Sequence, residues 1–158
     1  EHDLDKVVYG GPWSFDNSLI VMERTIGTGT IDSLKFTRAK FWVQIHQVPL
    51  LCMIKAIGNF LGGMIGQVLA VDGGASGVCV GKFLRVRVRV DITRPLKCCL
   101  RVDNFGDKTE KVMILHYERL PNHCFQCGMI DHTMIECLKQ VSCSTIMGNE
   151  EFPLGIWI

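Results

Sequence analysis

Four metal-ligating side chains near the C-terminus constrain the fold of this chain more than any other feature of its sequence. Cys124, Cys127, His132 and Cys137 stand at the spacing C-x2-C-x4-H-x4-C. Three thiolates and one imidazole suit a tetrahedral zinc ion, and four protein ligands leave no position for a substrate water. We therefore predict one structural Zn²⁺, which supplies the folding free energy that so short and polar a segment lacks.

A redox-active pair is the alternative for Cys124 and Cys127. Redox C-x-x-C motifs belong to a βαβ pattern that does not precede these residues, and a redox role leaves His132 and Cys137 unexplained. Eight cysteines in 158 residues are too few for a disulfide scaffold, and the acidic start shows no signal-peptide pattern. We expect an intracellular protein, in either the nucleus or the cytoplasm.

Alternating apolar and polar residues predict an antiparallel sheet ahead of the cysteines. The alternation is strict in K-F-L-R-V-R-V-R-V-D-I, residues 82–92, and further strands are predicted at 41–48, 98–102 and 111–119. Apolar residues at i, i+3 and i+4 spacing between Ile54 and Val68 predict one amphipathic helix that packs on this sheet. Pro49 and Lys55 interrupt the longer apolar stretch 48–71 and argue against a membrane span. The predicted class is α+β.

The first residues of the chain are too few to bury a core of their own. D-L-D-K-V-V-Y before G-G-P predicts a short helix, and residues 18–25 predict a strand. These two elements either pack on the α+β domain or are the remnant of a longer domain. We predict an N-terminal piece with a linker at 1–32, the α+β domain at 33–121, the zinc-binding segment at 122–140 and an irregular tail at 141–158.

Positive charge is concentrated in one part of the chain. Residues 82–101 carry seven basic residues and one acidic residue, whereas the whole chain has a formal charge of +1. Arg85, Arg87 and Arg89 share one strand face about 6.8 Å apart, which is comparable with the spacing of phosphates along an extended nucleic-acid strand. We predict that these arginines contact phosphate, and the alternative is an ordinary solvated sheet face.

Phe125 is the predicted stacking side chain for a nucleobase. It lies between the first two metal ligands, where the metal holds it at the surface. The alternative is that Phe125 forms the miniature core of the zinc site.

The chain resembles a known family. The segment 124–137 resembles the zinc knuckle of retroviral and retrotransposon nucleocapsid proteins. The runs G-P-W-S-F-D, F-W-V-Q-I-H, G-K-F-L-R-V-R-V and Y-E-R-L-P-N-H-C-F-Q-C-G resemble a plant family in which a domain of unknown function precedes this knuckle. That family is associated with the gag-like, first-frame proteins of LINE-type retrotransposons.

The resemblance extends over nearly the whole chain and carries several implications. It implies an RNA-recognition-like region ahead of the sheet, of which residues 1–25 are the last helix and strand, and a chain cut short at both ends. It also implies that Met134 lies beside Phe125 in the nucleic-acid surface. Asp131 and Met129 replace a glycine and a basic residue of the usual knuckle pattern, whereas Gly128 is retained. These replacements are compatible with zinc binding but weaken phosphate attraction.

The predicted function is zinc-dependent binding of single-stranded RNA or DNA, with low sequence specificity, by a protein of retrotransposon origin. One alternative is a zinc-stabilised protein-interaction module that self-associates, favoured by the one basic and four acidic residues of 124–158. Another is a decayed fragment without function. An enzyme is disfavoured because H-E-x-x-H, G-x-S-x-G and G-x-x-x-x-G-K-[ST] do not occur. Neither a membrane nor a small-molecule substrate is expected as a partner.

Overall fold

The computed structural model describes residues 2–24, 30, 32, 34–102, 110–130 and 132–138. The described part is mixed α/β with antiparallel sheets, and the predicted tail at 141–158 lies outside it. Its helices are α1 (His2–Gly10) and α2 (Lys55–Ile65), with a 3₁₀ turn at Leu50–Cys52. Its strands are β1 (Trp13–Phe15), β2 (Ser18–Ile20), β3 (Arg38–His46), β4 (Gln67–Val71), β5 (Phe83–Asp91), β6 (Cys99–Val102) and β7 (Lys111–Tyr117).

The main sheet has five strands in the order β4-β5-β3-β7-β6, and every neighbouring pair is antiparallel. Its longest pairing joins β3 to β5 and places Phe41 opposite Val88 and Trp42 opposite Arg87. The predicted antiparallel sheet with one packed helix is confirmed. Each strand predicted for this sheet is present, and its ends move by a few residues at most.

The core lies between one face of this sheet and α2. Seven sheet side chains on that face are fully buried, namely Phe41, Val43, Ile45, Leu84, Val86, Val88 and Met113. Burial of each such side chain is worth about 1.5–3 kcal/mol. The helix approaches closely because Gly62 faces the sheet: a Cβ at this position would lie 2.7 Å from Val86 Cγ1. No helix in the described residues is long and apolar enough to cross a bilayer.

The N-terminal residues pack on the opposite, arginine-bearing face of the sheet. The Arg87 guanidinium donates to the carbonyl oxygens of Tyr9 and Gly11, and Arg89 pairs with Glu23. Of the two expectations for this piece, packing on the α+β domain is therefore observed. The strand predicted at 18–25 is too long, because β2 ends at Ile20 and pairs with β1 as a two-stranded hairpin.

Candidate metal centre and nucleic-acid interface

A tight backbone loop brings the first two cysteines together. The amide of Gly128 donates to the carbonyl of Cys124 at 2.7 Å, and the amide of Cys124 donates to the carbonyl of Met129, also at 2.7 Å. Gly128 has a φ of +76°, a left-handed conformation that glycine adopts without steric cost. The retained glycine therefore permits the reversal that places Cys124 and Cys127 on one side of the loop.

The second half of the site is held by a reciprocal set of hydrogen bonds. The Thr133 amide and hydroxyl donate to Glu136 Oε2 at 2.9 and 2.8 Å, and the Glu136 amide donates to the Thr133 carbonyl at 3.2 Å. This pattern resembles a helix capping box. It fixes the turn between His132 and Cys137, so that both can face the two earlier cysteines.

The structure brings all four predicted ligands into one cluster. One ligand atom from each of Cys124, Cys127, His132 and Cys137 lies within 4.8 Å of every other, and Cys127 Sγ is 3.3 Å from His132 Nε2. A tetrahedral zinc with bonds of about 2.0–2.3 Å separates its ligand atoms by about 3.3–3.8 Å. The limit of 4.8 Å exceeds this spacing by about 1 Å, so the four ligand atoms lie close to the positions that a zinc site requires. This is the one such group among the described residues.

The thiols differ in how readily they ionise. Burial opposes ionisation of Cys124, but hydrogen bonds from the backbone amides of Cys127 and Gln126 and from the thiols of Cys127 and Cys137 together outweigh it and lower the pKa of Cys124 to about 7. Burial raises the pKa of Cys127. Because zinc binds thiolates, the metal has to displace protons here, and its affinity is linked to pH.

This metal site is docked on the sheet domain. The Leu96 amide donates to the Gly128 carbonyl at 2.8 Å, and a Cβ on Gly128 would lie 3.1 Å from Pro95 Cβ. Ile130 packs against the hydrophobic core, as do Leu96 and Leu120. The zinc-binding segment and the sheet therefore share a packed seam.

The predicted stacking residue is half-buried and has an aromatic neighbour. The ring centroids of Phe125 and His123 are 4.3 Å apart with an interplanar angle of 57°. Burial lowers the pKa of His123 and so favours the neutral form of its ring. Met134 is 57% exposed, and its position beside Phe125 stays a prediction. Sequence reasoning missed His123, although an aromatic ring two positions before Phe125 was visible.

Arg85, Arg87 and Arg89 share one face as predicted, but each already has partners. Arg85 forms a bidentate ion pair with Glu118, in which the Nε–Oε1 and Nη2–Oε2 distances are both 2.8 Å. Its Nη1 atom lies 3.1 Å from Asp72 Oδ2. The hydrogen bonds from Arg85 lower the pKa of Glu118 to about 2, despite partial burial of the carboxyl.

Trp42 lies beneath two of these arginines. The guanidinium carbons of Arg85 and Arg87 lie 4.1 and 5.5 Å from its ring centre. Trp42 lies half-buried on the outer face, as alternation with the fully buried Phe41 requires. Phosphate contact by the arginines stays a prediction, since their present partners lie within the chain.

Comparison with known proteins identifies the metal-binding segment. Residues 90–139 match the family described as zinc knuckle. The cysteine–histidine cluster is a zinc knuckle. The match begins at Val90, at the end of β5, and so takes in the strands that precede the knuckle. With the four ligands gathered in one cluster, the prediction of one structural Zn²⁺ is confirmed.

A plant protein is similar over almost the whole chain. An uncharacterized protein of Arabidopsis thaliana is 28% identical over 155 residues, which cover 93% of this chain and 48% of that protein. The chain thus spans about half the length of the curated relative that it matches. No solved structure matches the chain.

Proposed function

We propose that this protein binds single-stranded RNA or DNA, with low sequence specificity, through its zinc knuckle. The observation that carries the proposal is the aromatic pair that flanks the metal ligand Cys124, formed by the rings of Phe125 and His123. We propose that the exposed Met134 belongs to the same surface. Any nucleobase can stack on an aromatic plane, so such a surface binds strands without reading their sequence. Zinc knuckles commonly bind nucleic acids.

The zinc ion has a structural role in this proposal. Four protein ligands complete its shell, so the metal holds Phe125 and its neighbours in place and does not itself contact the strand. Loss of the metal should therefore remove nucleic-acid binding together with the local fold.

The second part of the proposed interface is the sheet face that carries Arg85, Arg87 and Arg89. We refer to these three residues as the arginine row. Among the described residues, Arg87 donates its hydrogen bonds to backbone carbonyls, which are neutral. Its positive charge is therefore not compensated by a carboxylate in that part of the chain. Arg85 and Arg89 would have to exchange a carboxylate for a phosphate. We accordingly propose Arg87 as the first of the three to contact a strand that extends over this face.

Fluorescence anisotropy of labelled single-stranded oligonucleotides tests the proposal. Zinc-loaded protein should bind RNA and DNA strands, and rising salt should weaken the binding. Cys127→Ser should abolish both zinc retention and binding. Cys52→Ser is the matched control, since Cys52 is not a ligand and should leave both unchanged. Strand binding that survives complete loss of zinc would overturn the proposal.

A second function is favoured by a different observation. Three large apolar side chains near the 3₁₀ turn are almost fully exposed: Leu50 (84%), Leu51 (94%) and Val80 (96%). Exposed apolar groups of this kind mark protein-interaction surfaces. If the protein is an assembly module, light scattering should show concentration-dependent self-association, and Leu51→Ser with Val80→Ser should abolish it.

We also propose that this protein originates from a retrotransposon. This origin is supported by the resemblance to gag-like plant proteins and by the similarity to a plant protein about twice as long. The succession of α1 and the β1–β2 hairpin is compatible with the end of an RNA-recognition-like region. A reverse-transcriptase reading frame immediately downstream in the genome would support this origin, and an unrelated neighbourhood would contradict it.

We also propose a binding role in preference to a catalytic one. The closed zinc shell offers no open position to a substrate. Assays for hydrolysis of the bound strand should therefore show no zinc-dependent cleavage. An intracellular location, in the nucleus or the cytoplasm, stays a prediction.

A further inference from the structure

The described residues of the knuckle carry none of the lysines and arginines that attract a nucleic-acid strand. Its described residues, 122–130 and 132–138, include Glu136 and contain no lysine or arginine. Affinity for single strands depends strongly on neutralising phosphates with Lys and Arg side chains. If the knuckle holds the bases, the phosphate contacts must come from residues that adjoin it in the fold.

The arginine row is poorly placed to be the main source of these contacts. Arg85 already binds two carboxylates and Arg89 binds one, and only a third or less of either side chain is exposed (33% and 25%). A phosphate at either position would leave a carboxylate beside it without its partner, which costs free energy.

Three other cations lie where the knuckle meets the sheet domain. Arg94 and Lys97 flank the Pro95–Leu96 dipeptide, which makes the contact with Gly128, and Arg119 lies at the start of the segment that leads from β7 into the knuckle. All three side chains are exposed. We refer to Arg94, Lys97 and Arg119 as the seam cations.

The seam cations keep their charge uncompensated at short range. In the described part of the chain, no carboxylate lies within ion-pair distance of any of the three. Lys97 Nζ donates to the Met64 carbonyl at 2.6 Å, which is a neutral partner. Asp91 is the acidic group that Arg94 influences electrostatically, and one of its oxygens already accepts two hydrogen bonds from Thr93.

The seam cations are also close enough to the stacking residue to serve one strand. Arg119 precedes Phe125 by six positions, so their Cα atoms are at most about 20 Å apart even with the chain fully extended. The hydrogen bond between Leu96 and Gly128 places the backbone between Arg94 and Lys97 against the loop that carries Phe125.

We propose that Arg94, Lys97 and Arg119 position a single strand on the knuckle by contacting its phosphates, while Phe125 receives a base. The inference rests on the proposed function and adds the path of the strand, which runs along the seam between knuckle and sheet. Arg87 and Arg89 then act mainly inside the protein, where they fasten the N-terminal residues to the sheet, and Arg85 fastens Glu118 and Asp72.

Salt-dependent binding of the full chain, loaded with zinc, tests this path. The probes are fluorescein-labelled single-stranded DNA and RNA of one mixed sequence. The seam variant carries Arg94→Gln, Lys97→Gln and Arg119→Gln. Each lost phosphate contact should flatten the slope of log affinity against log salt by about 0.7, so the variant should lose about 2 from the slope.

A matched variant controls for the loss of net charge. It carries Lys6→Gln, Lys35→Gln and Lys82→Gln, which remove the same charge from exposed positions outside the seam. Zinc content and thermal unfolding show whether each variant is folded, and single substitutions replace the triple if it is not. A large slope change in the seam variant and a small one in the control support the path.

The outcomes separate this inference from the function on which it rests. Equal slope changes in both variants, or none in the seam variant, would overturn the seam path while leaving strand binding in place. Failure of the unmodified protein to bind either probe would overturn the proposed function itself.

Discussion

The bidentate ion pair between Arg85 and Glu118 should stabilise the fold measurably. It lies on the sheet face whose arginines are predicted from the sequence to contact phosphate. The pKa of Glu118 falls from an ordinary value of 4.5 to about 2, with the hydrogen bonds from Arg85 as the largest cause. At about 1.36 kcal/mol for each pKa unit, the ceiling is about 3.4 kcal/mol. Solvent reaches both side chains, which are 33% and 23% exposed. We therefore expect about 1–2 kcal/mol after screening.

A double-mutant cycle measures this energy. Urea unfolding at neutral pH, with zinc in excess, compares the wild type with Arg85→Gln, Glu118→Gln and the double variant. The coupling free energy should be about 1–2 kcal/mol, because each single substitution removes the bidentate contact. Arg85 keeps Asp72 and Glu118 keeps Gln44 as partners in the single variants. A coupling below about 0.5 kcal/mol would mean that the pair is an ordinary surface contact, and the structural role assigned to Arg85 would be wrong.

The pH dependence of the unfolding free energy provides a second test of the pair, because the direction of the change is defined. Since the folded-state pKa of Glu118 is depressed, its stabilisation is present above the unfolded value of 4.5 and is lost as the pH falls towards 2. The difference in unfolding free energy between wild type and Glu118→Gln should shrink over that range. Zinc loss in acid affects both proteins and cancels in the difference.

Three further predictions concern the knuckle and the core. Phe125→Ala should weaken strand binding by about 1–3 kcal/mol with zinc retained, as anisotropy and metal analysis would show, and joint loss of zinc would favour the miniature-core interpretation. Zinc affinity, measured by chelator competition, should fall on acidification because protons compete for the thiolates, and a pH-independent affinity would contradict thiolate ligation. Gly62→Ala should destabilise the fold by about 1–3 kcal/mol in urea unfolding, since its Cβ would meet Val86 Cγ1 at 2.7 Å. Gly63→Ala is the control, since a Cβ there meets nothing within 4 Å, and equal losses in both would refute the close-approach argument.

Local patterns in the sequence determined which residues share a face and which share a metal. The alternation around Val86 and Val88 fixed the buried face of β5, because successive side chains of a strand point to opposite sides whatever lies next to them. The ligand spacing predicted the zinc site for a similar reason. Its four side chains lie within a short stretch of chain, and the chemistry of the metal selects them.

The tertiary structure alone decided what the exposed charges contact. Arg85 meets Glu118, which is 33 positions away, and Arg89 meets Glu23, which is 66 positions away. These pairings result from the order and register of the strands and from the packing of the N-terminal residues on the outer face. Docking of Gly128 on Leu96 has the same origin. Such contacts join segments far apart in the chain, and the free energy of the whole packed arrangement selects them, so no local periodicity records them.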